Sequence, residues 1–237
     1  MIRVILFDFG QTLVDSADGF RTAEKDAQRL IYEDFKPMPW EDFVTAYRRL
    51  RKEFQDRSNF SRQAIWRALY KTHGMPADLQ RLEDWETRYW DTVKAQSSLF
   101  PETKSVLAGL CKRYRLGLIT NTQGQKRTGT HRLSEFGELE GFFDGIIVAG
   151  EDGIPPKPDP RPFRMCLEQI KATAAEAVFV GDDWRIDIGG ASAVGIQPIW
   201  LQHHSVRRNW PDVQTTVPII SSLDQLLELD RLLAEAG

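Results

Sequence analysis

Three short runs carry no polar residue and stop abruptly at one. They are residues 4–7 (Val, Ile, Leu, Phe) before Asp8, 116–119 (Leu, Gly, Leu, Ile) before Thr120 and Asn121, and 178–180 (Val, Phe, Val) before Gly181 and Asp182. Their shortness and their β-branched and aromatic content predict buried strands. Further strand-like segments at 143–149 and 196–201 alternate with helical patterns at 103–112, 161–170, 188–194 and 223–233. A weaker helix is expected over 125–136, where Gly129 and neighbouring threonines lower the propensity. Strands alternating with helices predict right-handed βαβ units and a parallel sheet, an α/β fold. Pro198 lacks an N–H for one ladder, which predicts that the last strand lies at a sheet edge.

Between the first two runs the pattern is purely helical, from about residue 17 to 95. Apolar residues recur at helical spacing in four groups: Phe20 to Ile31, Phe43 to Phe54, Ala64 to Leu69 and Leu79 to Val93. Ser61 and Asp78 are the expected N-caps of the last two. Four amphipathic helices in succession can bury their stripes as a small bundle, and Trp40, Trp66, Trp85 and Trp90 read as packing residues there. The expected organisation is therefore a core of residues 1–16 and 96–237 with a helical insertion, residues 17–95. The basic run Arg48 to Lys52 reads as a solvated helix face.

Composition excludes several classes of function. The chain has 237 residues and a net charge of −3, which gives no global attraction to nucleic acid or membrane. No apolar run approaches the roughly 20 residues that span a bilayer. Asp8 breaks the N-terminal apolar run too early for a signal peptide, so a cytoplasmic setting is expected. Cys111 and Cys166 lack metal or redox spacing and are expected to be buried thiols. His203 and His204 are expected to belong to a polar loop.

Ligands of open parallel sheets bind outside the carboxyl ends of the strands, so the residues ending the three runs form one candidate site. Asp8 is a candidate nucleophile or metal ligand, and Gly10 permits a sharp turn after it. Thr120 and Asn121 offer a hydroxyl and an amide to an anionic oxygen. Asp182, Asp183 and Asp187 bring further carboxylates, and Lys157 sits in a proline-rich turn (Pro155, Pro156, Pro158, Pro160) that limits where it can wander. Clustered carboxylates repel one another unless a cation neutralises them. Hard oxygen ligands of this kind suit Mg²⁺, which commonly bridges carboxylates and a substrate phosphate. Lys157 would add a positive charge beside the reacting groups.

Taken together, these four motifs resemble those of the haloacid dehalogenase superfamily over essentially the whole chain. The resemblance implies a Rossmann-like core with Asp8 as nucleophile, Thr120 as the second motif, Lys157 as the third and Gly181 to Asp187 as the fourth. It further implies Mg²⁺ held by Asp8, the Gly10 carbonyl and the fourth-motif acids, and a helical cap that closes over a small phosphorylated metabolite. In one respect the chain departs from the family's phosphatases, which carry a second Asp two residues after the nucleophile. Gly10 stands there and has no side chain. General acid–base help, typically worth about 10²–10⁴-fold, is expected to be lost. Substrates with easily departing groups, such as aryl or acyl phosphates, should suffer least, and Gln11 is one candidate for positioning the water. Dehalogenation, phosphonate cleavage and a catalytically impaired metal- or anion-binding regulator are the alternatives.

Overall fold

The computed structural model describes residues 1–122 and 131–235. In chain order the strands and helices are β1 (Val4–Phe7), β2 (Val14–Asp15), α1 (Ala17–Tyr32), α2 (Trp40–Asp56), α3 (Arg62–Thr72), α4 (Leu79–Ala95), β3 (Ser98–Leu99) and α5 (Thr103–Leu110). There follow β4 (Arg115–Asn121), β5 (Gly145–Ala149), α6 (Pro160–Ile170), β6 (Ala177–Gly181), α7 (Gly189–Ala193), β7 (Gln197–Leu201), β8 (Ile219–Ile220) and α8 (Leu229–Glu235). These elements fall into two compact units. One holds Met1–Ala17, Ser98–Asn121 and the described residues from Arg132 onward; the other holds Asp18–Ser97 with Thr122 and His131.

The first unit is built on a six-stranded sheet in the order β5-β4-β1-β6-β7-β8. Every pairing in it is parallel. The chain leaves β1 toward β4 and β5, then returns to the other side through β6. β1 is therefore the point at which the winding reverses, and its carboxyl end opens onto the crevice where such sheets take ligands. Alternate residues of the strands serve opposite faces. Ile5, Phe7, Leu116, Leu118, Val178 and Val180 pack with Val106, Leu107 and Leu110 of α5 and with Leu223, Leu226 and Leu229. Val4, Leu6, Ile119 and Phe179 pack with Phe163, Cys166 and Ile170 of α6 and Ala191 of α7. Burial on both faces explains why these strands read as unbroken apolar runs.

The second unit is a bundle of four helices around Phe43, Tyr47, Trp66, Leu69, Tyr89 and Trp90, all buried. Ser61 and Asp78 cap α3 and α4 as expected: Ser61 Oγ accepts from Ala64 N, and Asp78 Oδ1 accepts from Gln80 N and Arg81 N. Among the four tryptophans, Trp40 is exposed. Arg48–Lys52 is mixed in use: Arg51 reaches Glu24 and Lys52 reaches Asp56.

Several local expectations need correction. β7 is not the edge strand, because β8 pairs with Trp200 and Leu201 beyond it. That pairing stops short of Pro198, so the missing N–H leaves no gap in a ladder. α5 ends at Leu110, and Cys111 beyond it is exposed; only Cys166 is buried. Of the helix expected over 125–136, residues 125–130 lie outside the described residues. Arg132–Phe142 forms 3₁₀ turns broken at Phe136 (φ −124°, ψ 44°), in a stretch weakened by Gly137 and Gly141. The helix expected from 188 begins earlier, with a π turn over Trp184–Ile188 that runs into α7. The closing helix likewise starts as a 3₁₀ turn at Leu223–Glu228. No helix among the described residues is long and apolar enough to cross a membrane.

Candidate active site

Asp8 follows directly on β1, and its backbone N–H donates to Val180 O of the neighbouring strand at 2.9 Å, which fixes its direction at the strand end. Lys157 arrives from the proline-rich turn before α6 and is 1% exposed. All three of its ammonium protons are used: Nζ donates to Asp8 Oδ1 (2.6 Å), Asp187 Oδ1 (2.7 Å) and Ile119 O (2.7 Å). The turn that delivers the lysine carries a cis Lys157–Pro158 peptide. Burial alone would lower the Lys157 pKa, but Asp187 and Asp8 outweigh it and hold the ammonium more firmly protonated than usual.

Asp182 ends the strand beside β1, and Asp187 returns toward it from the first turn of the π segment. Gly181 makes that return possible, because a Cβ there would lie 2.5 Å from Asp187 Cβ. One carboxylate oxygen from each of Asp8, Asp182 and Asp187 can be chosen so that all lie within 4.8 Å of one another. Burial pushes the Asp187 carboxyl up to about 7, with Lys157 opposing the rise. Burial and then the charge of Asp187 raise Asp182, against the pull of Arg208. Arg208 Nη1 donates to Asp182 Oδ2 and its guanidinium lies over Trp210, 4.4 Å from the ring centroid. Trp200 Nε1 donates to Asp182 O at 3.0 Å, and Trp184 packs on the same indole.

The remaining predicted residues have more varied roles. Thr120 is buried at the end of β4. Asn121 beside it serves the lysine: Oδ1 accepts from Lys157 N at 2.8 Å and Nδ2 donates to Lys157 O at 3.1 Å. Its amide thereby clamps the turn, with one of its two N–H donors spent on Lys157 O. The Asp183 carboxylate caps the π turn, with Oδ1 accepting from Arg185 N and Ile186 N. Gln11 adopts φ 62°, and its side-chain amide lies 2.9 Å from both Ser16 N and Ala17 N at the start of α1, which its oxygen can cap. It is a turn residue whose side chain lies at the start of α1.

Sequence reasoning missed three residues. Thr12 is fully buried with its hydroxyl 3.5 Å from Asp8 Oδ2. Arg132 fills the space beside Gly10: a Cβ at that glycine would lie 3.0 Å from Arg132 Nη2. Arg208 supplies the second cation. Only Thr12 had a local signal, its place four residues after Asp8. Arg132 lies in the weakly helical stretch and Arg208 in an irregular loop, and neither carries a spacing that points to the site.

A parallel α/β core with a buried lysine among three converging carboxylates, set at the strand where the winding reverses, defines a class of site. The chain belongs to the haloacid dehalogenase-like hydrolase family, which it matches over residues 2–195. It is 30% identical over 205 residues to glyceraldehyde 3-phosphate phosphatase of Pyrococcus abyssi, covering 86% of this chain and 82% of that one. Among solved structures it is similar to a 2-haloacid dehalogenase from Pseudomonas syringae, with 27% identity, full coverage of both chains and a TM-score of 0.64. A HAD-hydrolase from Bacillus subtilis bound to magnesium is 26% identical over 96% of this chain and 98% of that one, also with a TM-score of 0.64.

Proposed function

We propose that the chain is a Mg²⁺-dependent phosphatase of a small phosphorylated metabolite, acting through a phosphoaspartate on Asp8. The observation that carries this reading is the triple engagement of Lys157, which leaves it no freedom except to hold Asp8 in place. The donor set fits a hard divalent cation, since three carboxylates converge while Lys157 and Arg208 supply only two positive charges. Asp8, the Gly10 carbonyl and Asp182 would hold the ion, with Asp187 supporting from the side. Bound there, Mg²⁺ supplies Lewis-acid polarisation of the transferring phosphoryl group.

The chain's own residues do the rest. Lys157 fixes the carboxylate rotamer of Asp8 and offsets charge on the group it attacks. Thr120, at the end of the adjacent strand, is the ligand for a phosphoryl oxygen. Residues 17–95 act as the cap that selects the metabolite. With no side chain at position 10, no carboxylate protonates the leaving oxygen or activates the water that clears the phosphoaspartate. Turnover is therefore slow after a burst of leaving group.

The test is phosphate release from a panel of phosphorylated metabolites with Mg²⁺ present, alongside Asp8→Asn. Release should fall by more than about 10³-fold in the variant, as expected for removal of a covalent nucleophile. Rapid acid quench should trap phosphate on the wild-type protein. Release that persists in Asp8→Asn ends the proposal. Gly10 and the similarity to a 2-haloacid dehalogenase favour one second reading, attack of Asp8 on a carbon–halogen bond. Halide release from 2-haloacids in metal-free buffer would establish that instead.

A further inference from the structure

The space that a side chain at position 10 would fill is taken by a guanidinium. Arg132 Nη2 lies 3.0 Å from where a Cβ on Gly10 would be. Nη1 donates to Ser16 Oγ at 2.6 Å, and the guanidinium carbon lies 5.5 Å from the centroid of the Phe9 ring. The side chain is 3% exposed. One hydrogen bond and one ring contact thus hold the cation beside Phe9, with Nη2 in the space next to Gly10, so that it lies by the two residues directly after the nucleophile, in a pocket where charge is weakly screened. An arginine this well held is more than a surface residue that happens to lie nearby, and the mechanism above does not use it.

We infer that Arg132 is the residue that receives the leaving group, and that it restricts the enzyme to phosphoryl donors whose leaving oxygen is stable as an anion, namely acyl and aryl phosphates. This rests on the phosphoaspartate reading. An Asp8 oxygen forms a bond to phosphorus as the bond from phosphorus to the leaving oxygen breaks. That oxygen keeps the bonding electron pair and departs as an anion, hydrogen-bonded by Arg132, and takes its proton from solvent only after leaving. Arginine stays protonated throughout, so it stabilises the charge without giving up a proton. A guanidinium can therefore lower the barrier for carboxylate or phenolate departure but cannot replace an acid for an alkoxide.

The experiment is a series of aryl phosphates, from strongly acidic nitrophenols to phenol, assayed with Mg²⁺ on wild type, Arg132→Gln, Arg132→Lys, Gly10→Ala and Asp8→Asn. Wild-type kcat/KM should fall as the leaving phenol becomes less acidic. Arg132→Gln should steepen that fall, losing little on the most acidic phenol and about 10²-fold on phenol itself, the typical cost of one lost oxyanion donor. Arg132→Lys should lie between. Gly10→Ala keeps the charge but crowds Nη2, so it should steepen the fall in the same direction; it keeps the question open to test should Arg132→Gln not fold. An equal loss on every substrate, or none, in an enzyme that still needs Asp8 overturns the role of Arg132 alone. Cleavage that is absent from wild type, or that survives Asp8→Asn, overturns the phosphatase reading and this inference with it.

Discussion

Each unit of the molecule buries a cation among acids, and the two clusters differ in what they leave over. In the helical unit Arg62 is 2% exposed. It donates to Phe60 O and Tyr89 Oη, pairs with Glu24 at 3.7 Å, and lies over the rings of Tyr89 and Trp90. Its acids are spread along the interior: Tyr89 Oη donates to Glu24, while Glu86 accepts from Gln63 N and has its carboxyl raised chiefly by burial. In the sheet unit the acids converge and outnumber the cations. With Arg51 also 3.5 Å from Glu24, the helical cluster sets two cations against two acids and holds helices in register, whereas a convergent one with an unmet charge is built to take a further cation. The difference lies in geometry and charge count, since burial is nearly the same.

Removing each cation should break the comparison most sharply. Lys157→Met leaves Asp8 and Asp187 without their partner and should cost about 3–5 kcal/mol of stability as well as activity. Arg62→Met should cost about as much stability in urea unfolding while leaving kcat/KM per folded molecule unchanged. If Arg62→Met abolished catalysis in folded protein, the helical cluster would be more than structural. A smaller effect sharpens the contrast. Millimolar Mg²⁺ should raise the stability of wild type by about 2.7 kcal/mol at a hundredfold excess over Kd, and should do nothing in Asp182→Asn. Mg²⁺ should restore part of the stability lost in Lys157→Met and none of that lost in Arg62→Met. Differential scanning calorimetry with and without chelator reads both.

The smallest effect concerns a half-buried pair that lies between these extremes. His203 is buried and stacked on Phe100, with Nε2 2.8 Å from Glu102 Oε1 and Nδ1 2.8 Å from Ser205 Oγ. Burial alone would raise the Glu102 carboxyl, but the hydrogen bonds from His203, Ser222 and the backbone together outweigh it and hold the group below its usual range. A carboxyl depressed in the folded state contributes stability above its unfolded pKa, near 4.3, and loses it as pH falls through the folded value. Glu102→Gln should therefore flatten the acid limb of the stability profile below about pH 4. An unchanged limb would show the pair to be silent. The histidines expected in a polar loop are thus half right, since His204 is exposed and His203 is a packing residue.

Much of the fold was legible because its signals are local. Runs such as Val4 to Phe7 have no polar residue to offer solvent, so they had to be covered on both faces, and Ser61 and Asp78 declare helix starts through their own side chains. Asp8, Lys157, Asp182 and Asp187 were legible for a related reason: each sits at a strand end or a proline-fixed turn, where the backbone leaves little choice of direction. The partners that Asp183 and Asn121 take in the structure were not legible, because residue type shows what a side chain can bind but not which neighbour reaches it first. A backbone N–H two residues away claimed one and the Lys157 peptide claimed the other.

The parallel α/β core, the helical insertion, and the acids and lysine that strand ends and turns bring to one rim can all be read in the order of residues along the chain. Folding alone sets Asp183 as the cap of the π turn, pairs Arg208 with Asp182, and puts Arg132 in the place left open at Gly10. Those outcomes depend on segments more than a hundred residues apart for Arg132 and on an irregular loop for Arg208. No periodic pattern records such a meeting, because long-range packing and charge compensation choose the partner only once the sheet has formed.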